Sequence, residues 1–424
     1  MSYCARCLHR KASLAPDILS VVPTRPSDAE LEEFLTRGMA EVIVREDLAA
    51  SLRAGDRQLR IKQGFDPTHP NLHLGHAIPL RKMRKLAQWG HEIVLIVGDW
   101  TTQIGDPTDK DETRPTMSHD KVMRNAESYI EQFHLIVPRE GTRVVFQSEW
   151  FGKFGLKDVI DLASRFTTQQ MLQREEFRKR LEKKTPIPIK DLLYPLLQAY
   201  DSVAIKADVE FGGTDQLFNI LAGRELQEML GQPPQSVFIV PMLEGLDGDQ
   251  MHKSKPATAI WLVDPAIDVY GKVMSIDDKL MPHYYEWATE LPMEEVRSTL
   301  DALARKDLHP REAKRKLART ITAELRSPAE AEEAEREFDR VHKEGAAPEA
   351  APTVDFTVNG QKEVGIVDLV VSAFAKSKTE ARNLIAQNGV RVDGAVATAD
   401  TKVPVKGEPL VQIGKRQAVR VRFR

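Results

Sequence analysis

Cysteine is almost missing from this chain. Of 424 residues only Cys4 and Cys7 carry a thiol, which excludes a disulfide framework and points to a reducing compartment. The two form a lone Cys-x-x-Cys close to His9, without the further ligands of a zinc site or the surround of a thioredoxin-like motif. They are read as part of a disordered N-terminal extension, 1–34. Arg6, Arg10 and Lys11 precede the first acid, Asp17, but the segment is short and weak as a transit peptide, so a cytoplasmic location is the default. No apolar run reaches membrane length, and no membrane partner is expected. Net charge is also scarce, 60 Lys and Arg against 63 Asp and Glu. Nor is there an obvious internal repeat. With 42% hydrophobic residues, the chain is long and apolar enough for two or three soluble domains.

What is present is concentrated in one run, Asp66-Pro67-Thr68-His69-Pro70-Asn71-Leu72-His73-Leu74-Gly75-His76. Upstream, Leu59, Ile61 and Phe65 read as a short buried strand. Downstream, Ile78, Leu80, Met83 and Leu86 recur at helical spacing until Gly90 stops the helix. A second apolar strand, 93–97, follows at once. This is a βαβ unit, whose ligand site lies at the carboxyl ends of the strands, where the helix N-terminus also favours anions. Two imidazoles there can donate to phosphoryl oxygens, and Gly75 leaves room for a nucleotide against the backbone. The spacing of three is not that of a helical metalloprotease pair, and no further ligand cluster at zinc spacing lies nearby, so no metal site is predicted. An ordinary pair of turn histidines remains the bland alternative at this point.

Along the chain the pattern changes twice. Residues 35–265 mix βα segments with Gly-rich turns and read as a Rossmann-like parallel-sheet catalytic domain, carrying a charged, mostly helical insertion at about 117–190. From 266 to 345 the pattern is helical, with Met293, Val296, Leu300 and Leu303 on one face and Leu317, Ile321 and Leu325 on another. A linker follows at 346–355, then a small α+β module at 356–424. From Lys362 to Arg424 twelve Lys/Arg stand against six Asp/Glu, about +6, which leaves about −9 for the rest. Lys376, Lys378, Arg382 and Arg391 surround a predicted helix (378–388), a strand and an Asp393-Gly394 turn. Such a surface suits a phosphate backbone, or is simply a solvated face.

Three more motifs join the first: Leu197-Gln198-Ala199-Tyr200-Asp201, Gly212-Gly213-Thr214-Asp215-Gln216, and Met251-His252-Lys253-Ser254 after a Gly-rich turn. Together they resemble the bacterial tyrosyl-tRNA synthetases, a class I aminoacyl-tRNA synthetase family, from about residue 35 to the C-terminus. Lys378 to Arg382 and Asn388 to Val392 resemble the small RNA-binding module shared with a ribosomal small-subunit protein. The resemblance implies an enzyme that charges its tRNA with L-tyrosine through a tyrosyl-adenylate, using ATP as substrate with Mg2+ accompanying it. It also implies tRNA contacts from the helical region and the C-terminal module, and a homodimer formed through the insertion, where Phe166, Met171 and Leu172 would supply an apolar patch.

Residue roles follow from the same resemblance. Tyr194, Gln198 and Asp201 are spaced i, i+4, i+7 on a predicted helix and so project from one face, which is also what a solvated amphipathic helix would show. In the family that face lines the amino-acid pocket: Asp201 would accept the phenolic hydrogen, and Tyr194 and Gln198 with Asp106 would hold the ammonium, with Gly64 and Gln216 completing the tyrosine site. For ATP, Asp66, Thr68, His73, Gly75, His76, Gly213, Asp215, Gln216 and Lys253 are the counterparts. His73, His76, Lys253, Ser254, Lys110 and Arg114 would stabilise the reacting phosphates. The chain departs from the family twice. Gln250 replaces the leading lysine of the Lys253 loop, in which Lys255 takes the place of Lys253 as the phosphate contact if the register shifts, and Lys62 stands where many members place a tyrosine that touches the phenol. A tryptophanyl relative or nucleotidyltransferase of the same fold, and a non-catalytic RNA-binding protein, are the other readings; pyrophosphate exchange with tyrosine separates them.

Overall fold

The computed structural model describes residues 23–106, 117–253, 255–343, 351–358, 360–414 and 417–424. Cys4 and Cys7 lie outside them. Their contacts divide the chain into two units, Met1–Asp264 with Ile276–Arg305, and Pro265–Ser275 with Lys306–Arg424.

The first unit is organised by a six-stranded sheet. Strands β2 (Arg60–Phe65), β3 (Glu92–Val97), β4 (Thr142–Phe146), β5 (Val209–Gly213) and β6 (Ser236–Val240) run parallel, and β1 (Glu41–Ile43) pairs antiparallel with β6. The order is β1-β6-β5-β2-β3-β4. A strand covered on both faces reads as an unbroken apolar run, and Ile93 to Val97 are all buried. The chain starts in the middle with β2, moves outward through β3 and β4, then returns to lay β5 on the other side of β2. The connections therefore diverge between β2 and β5, and a crevice opens at the strand ends there. Within the central strand β2, Gly64 is exposed and a Cβ on it would meet nothing within 4 Å; it faces that opening.

Several predicted boundaries move. The N-terminal extension does not reach residue 34: the helix Asp28–Thr36 already begins at Asp28, capped reciprocally by Ser27 and Glu30, with Leu31, Phe34 and Leu35 buried. The stretch 117–190 is not one helical insertion, because β4 falls inside it and adds to the sheet beside β3; the helices outside the sheet follow β4. Phe166 and Met171 are buried in a cluster with Leu196, Ala199 and Leu226 and supply no surface patch, whereas Leu156, Ile160, Leu181 and Ile189 are exposed.

In the second unit the helices Ala266–Val273, Pro310–Leu325 and Pro328–Lys343 pack together, with Tyr270 against Phe338 and Arg315 paired to Glu335 and Asp339. The helix Met293–Ala304 belongs to the first unit, so 266–345 is divided. The C-terminal part has helices Ile366–Phe374 and Lys378–Ala386 against a five-stranded sheet. The linker ends before β7 (Thr353–Phe356), which pairs with the last strand, Gln417–Phe423. Asp393 and Gly394 both have positive φ, as a two-residue hairpin turn requires. Lys378, Arg382 and Arg391 are exposed.

Candidate active site

The crevice is lined by the residues that follow β2, β3, β4 and β5, and by one face of the helix Ile189–Ile205. After β2 comes Asp66, whose Oδ1 accepts from Thr101 Oγ1 at 2.6 Å and whose Oδ2 accepts from the Tyr194 hydroxyl at 3.0 Å. Burial outweighs these donors and pushes the Asp66 carboxyl up to about 7; nearby Asp106 adds to the rise and Lys253 opposes it. The Thr68 N–H donates to the Asp66 carbonyl at 2.8 Å. Burial likewise holds the Tyr194 hydroxyl well above its ordinary value, so it stays a donor.

Leu72 to Leu74 are tethered to Ile260 to Leu262 by backbone hydrogen bonds of 2.8 Å, Leu74 N–H to Ile260 O and Leu262 N–H to Leu72 O. The histidine motif is thereby fixed to the segment after the lysine loop. His73 caps the helix Leu74–Gln88, and its ring lies 3.9 Å from that of His76. The His76 Nδ1 lies 3.2 Å from the His73 backbone N–H and 3.3 Å from the His73 carbonyl, so the turn holds the ring through this nitrogen. Burial keeps His76 down at about 3 and His73 well below its usual range, with Lys253 adding to both. At neutral pH both are neutral hydrogen-bond donors, which suits phosphate binding and not proton abstraction. A Cβ on Gly75 would lie 3.1 Å from His73 Nδ1; the glycine makes room for the histidine ring.

Lys253 holds its ammonium 4.5 Å from the centre of the Tyr129 ring and is close enough to Asp66 and both histidines to act on their charge. Lys255 is bound to its own turn, 3.1 Å from Asp247 and 2.6 Å from Asp249. In this arrangement Lys253, and not Lys255, is the lysine whose charge acts on the two histidines. Ser254, Lys110 and Arg114 lie outside the described residues.

Past β5, Gln216 donates to Asp106 Oδ2 at 2.9 Å and to Asp215 Oδ2 at 3.1 Å. A Cβ on Gly213 would displace the Asp215 carboxylate and the Met242 sulfur. Asp106 is also 3.4 Å from the buried Arg174. On the helix Ile189–Ile205, Asp201 is 1% exposed and accepts from Gln147 Nε2 at 2.8 Å and Trp150 Nε1 at 3.1 Å. Burial pushes its carboxyl up to about 7, while Lys62 draws it down. Gln198 turns its backbone carbonyl to Lys62 at 3.2 Å.

Of the named site residues that are described, then, Asp66, Tyr194, His73, His76 and Lys253 form one group. Asp106, Asp215 and Gln216 form a second, and Asp201 sits deeper behind Gln147. Thr101, Gln147, Trp150 and Arg174 were missed. Thr101 follows the end of β3, which the strand-end rule could have flagged, whereas Gln147 and Trp150 follow β4, which was not recognised.

A switch-point crevice that sets neutral histidines, a loop lysine and buried carboxylates together is the site of a nucleotide-handling α/β enzyme. Residues 54–343 match the family model for class I tRNA synthetases (W and Y), and 364–408 match the S4 domain. The chain is 45% identical to a tyrosine–tRNA ligase of Dehalococcoides mccartyi over 92% of this chain and 98% of that one. It is 43% identical to that of Geobacter metallireducens over 94% and 100%. Among solved structures, the tyrosyl-tRNA synthetase of Archaeoglobus fulgidus complexed with L-tyrosine has the same fold (TM-score 0.58, 21% identity, covering 72% of this chain and 99% of that chain). The chain belongs to the tyrosine–tRNA ligase family of class I tRNA synthetases.

Proposed function

We infer that this enzyme activates tyrosine with ATP, giving tyrosyl-adenylate and pyrophosphate, and then transfers the tyrosyl group to the 3′ end of its tRNA. The tyrosine carboxylate is ionised at neutral pH and attacks the α-phosphorus, so the step needs no general base. Its rate depends on alignment and on groups that stabilise the departing pyrophosphate. His73 and His76 donate to phosphate oxygens, Lys253 brings a positive charge to the leaving group, and Asp215 offers two acceptor oxygens to ribose hydroxyls. Mg2+ arrives with the nucleotide. Asp66, Tyr194, Asp106, Gln198 and Gln216 surround the ammonium of tyrosine, and Gly64 leaves the opening in which its side chain lies.

The observation that carries the tyrosine reading is Asp201, a buried carboxylate with acceptor capacity left beyond its two donors. A substrate hydroxyl uses that remaining capacity and phenylalanine leaves it unfilled, a form of rejection for which tyrosyl-tRNA synthetases are themselves the reference case. Exposed Lys378, Arg382 and Arg391 support tRNA contact by the C-terminal module, and exposed Leu156, Ile160 and Ile189 support a homodimer through the helices after β4. No described helix is long and apolar enough to cross a membrane, and a cytoplasmic location is the reading kept with this function. ATP–pyrophosphate exchange with tyrosine, tryptophan and phenylalanine tests the assignment: exchange is expected with tyrosine, and exchange favouring either other acid overturns it.

A further inference from the structure

Lys62 has no exposed surface, although it sits on the central strand of an apolar sheet. An ion taken out of water costs several kcal/mol unless its hydrogen bonds are all made, and an apolar pair of similar volume would be cheaper. Here they are all made. The β2–β5 register places Lys62 opposite Glu210, and the Nζ lies 2.8 Å from Glu210 Oε1, 2.8 Å from Ser202 Oγ and 3.2 Å from the Gln198 carbonyl. Glu210 Oε2 accepts in turn from Ser202 Oγ at 3.1 Å and from Gln235 Nε2. Ser202 and Gln198 flank Asp201 on the helix. The ion pair is therefore seated against the helix face that carries Asp201, while the direct donors to Asp201, Gln147 and Trp150, are neutral.

We propose that Lys62 is a positioning residue for tyrosine selection: with Glu210 it sets the charge on Asp201 and hence the direction of the hydrogen bond that the phenol meets. This rests on Asp201 being the phenol acceptor. An ionised Asp201 accepts from a phenol and rejects phenylalanine; a protonated one offers its own hydrogen and selects less sharply. Burial leaves Asp201 titrating at about 7, Lys62 from β2 favours its ionised form, and Glu210 from β5 opposes it; the β4 end adds only the neutral Gln147 and Trp150. The two charges thus act on Asp201 with opposite sign.

The test is the preference for tyrosine over phenylalanine in ATP–pyrophosphate exchange, measured from about pH 5.5 to about 9. Taking the ratio cancels Asp66, which serves both substrates. Lys62→Met is expected to move the pH at which preference is lost upward by about one unit or more, and Glu210→Gln to move it downward. A doubly neutral Lys62→Gln/Glu210→Gln variant lies between them. Should Lys62→Met not accumulate as folded protein, the downward move in Glu210→Gln and the intermediate double variant carry the test. A merely structural pair would lower activity in each variant without moving the profile. Profiles that stay in place, or both move the same way, overturn the proposal. Absence of tyrosine-dependent exchange in the unaltered enzyme overturns the tyrosine reading instead.

Discussion

Lys253→Ala is the substitution with the most unequal consequences. In the fold the ammonium makes a cation–π contact with Tyr129 at 4.5 Å, worth about 0.5–1 kcal/mol for a partly solvated pair, so the unfolding midpoint in urea should fall only slightly. In the reaction it is a positioned charge at the departing pyrophosphate, and loss of one such preorganised group costs about 100- to 1,000-fold, roughly 3–4 kcal/mol. The size of the loss depends on what else is cationic nearby. His73 and His76 are held neutral, position 250 is a glutamine, and Lys255 is clasped by Asp247 and Asp249. The assay pairs tyrosine-dependent pyrophosphate exchange with equilibrium dialysis of tyrosine alone. Exchange should collapse while tyrosine binding stays within about twofold. Lys255→Ala is the control and should change exchange by less than about threefold, because an ion pair this exposed is worth little. Lost tyrosine binding with intact exchange in Lys253→Ala, or a larger loss in Lys255→Ala, refutes both the register of the loop and the role given to Lys253.

Gly98→Ala places a methyl group on Asp66 Oδ1 and Thr101 Oγ1; overpacking of about 1–3 kcal/mol should raise the KM values for ATP and tyrosine together by about tenfold, read in exchange kinetics. His91 is buried, accepts the Leu59 N–H on Nδ1 at 3.2 Å, and is pushed by burial down to about 4. Its folded value lies below its unfolded one, so its contribution is complete above about pH 6.5 and is lost as pH falls toward 4, about 2 kcal/mol of it between pH 7 and 5. Asp66 and Asp201, both raised, run in the opposite sense over that window. The measurement is therefore the difference in urea midpoints between the unaltered enzyme and His91→Gln, which should shrink as pH falls; a constant difference contradicts the assignment. A chain ending at residue 350, just before β7, should keep tyrosine-dependent exchange but lose tRNA aminoacylation by tenfold or more at moderate salt; equal loss of both would misplace the RNA contact.

The fold was legible where periodicity is strong. The β2–helix–β3 unit follows from apolar spacing and from Gly90, which has the positive φ expected of a helix stop. β4 was hidden because Thr142 to Phe146 holds only three apolar residues and pairs on one side alone, at the edge of the sheet. The helix Asp28–Thr36 is hidden by its neighbours: its capping box and apolar Leu31, Phe34 and Leu35 follow directly on a polar, motif-poor N-terminal stretch with nothing to mark the boundary.

The site divides along the same line. A helical spacing of i, i+4, i+7 put Tyr194, Gln198 and Asp201 on one face, and one face is all that local sequence determines. Which group each side chain meets depends on elements that the topology brings in from elsewhere. Tyr194 bonds to Asp66, 128 positions away, and Asp201 to Gln147, 54 positions away. Lys62 shows the consequence most clearly. By position it only looked like a lost phenol contact, since nothing in the neighbouring sequence supplies a counter-ion. The β2–β5 register supplies one in Glu210, and that register exists because the chain crosses back over the sheet at the switch point. The topology that opens the crevice thus also makes a buried lysine tolerable beside Asp201. A substitution at position 62 should accordingly be judged together with 210, because removing either charge alone leaves the other buried and unpaired.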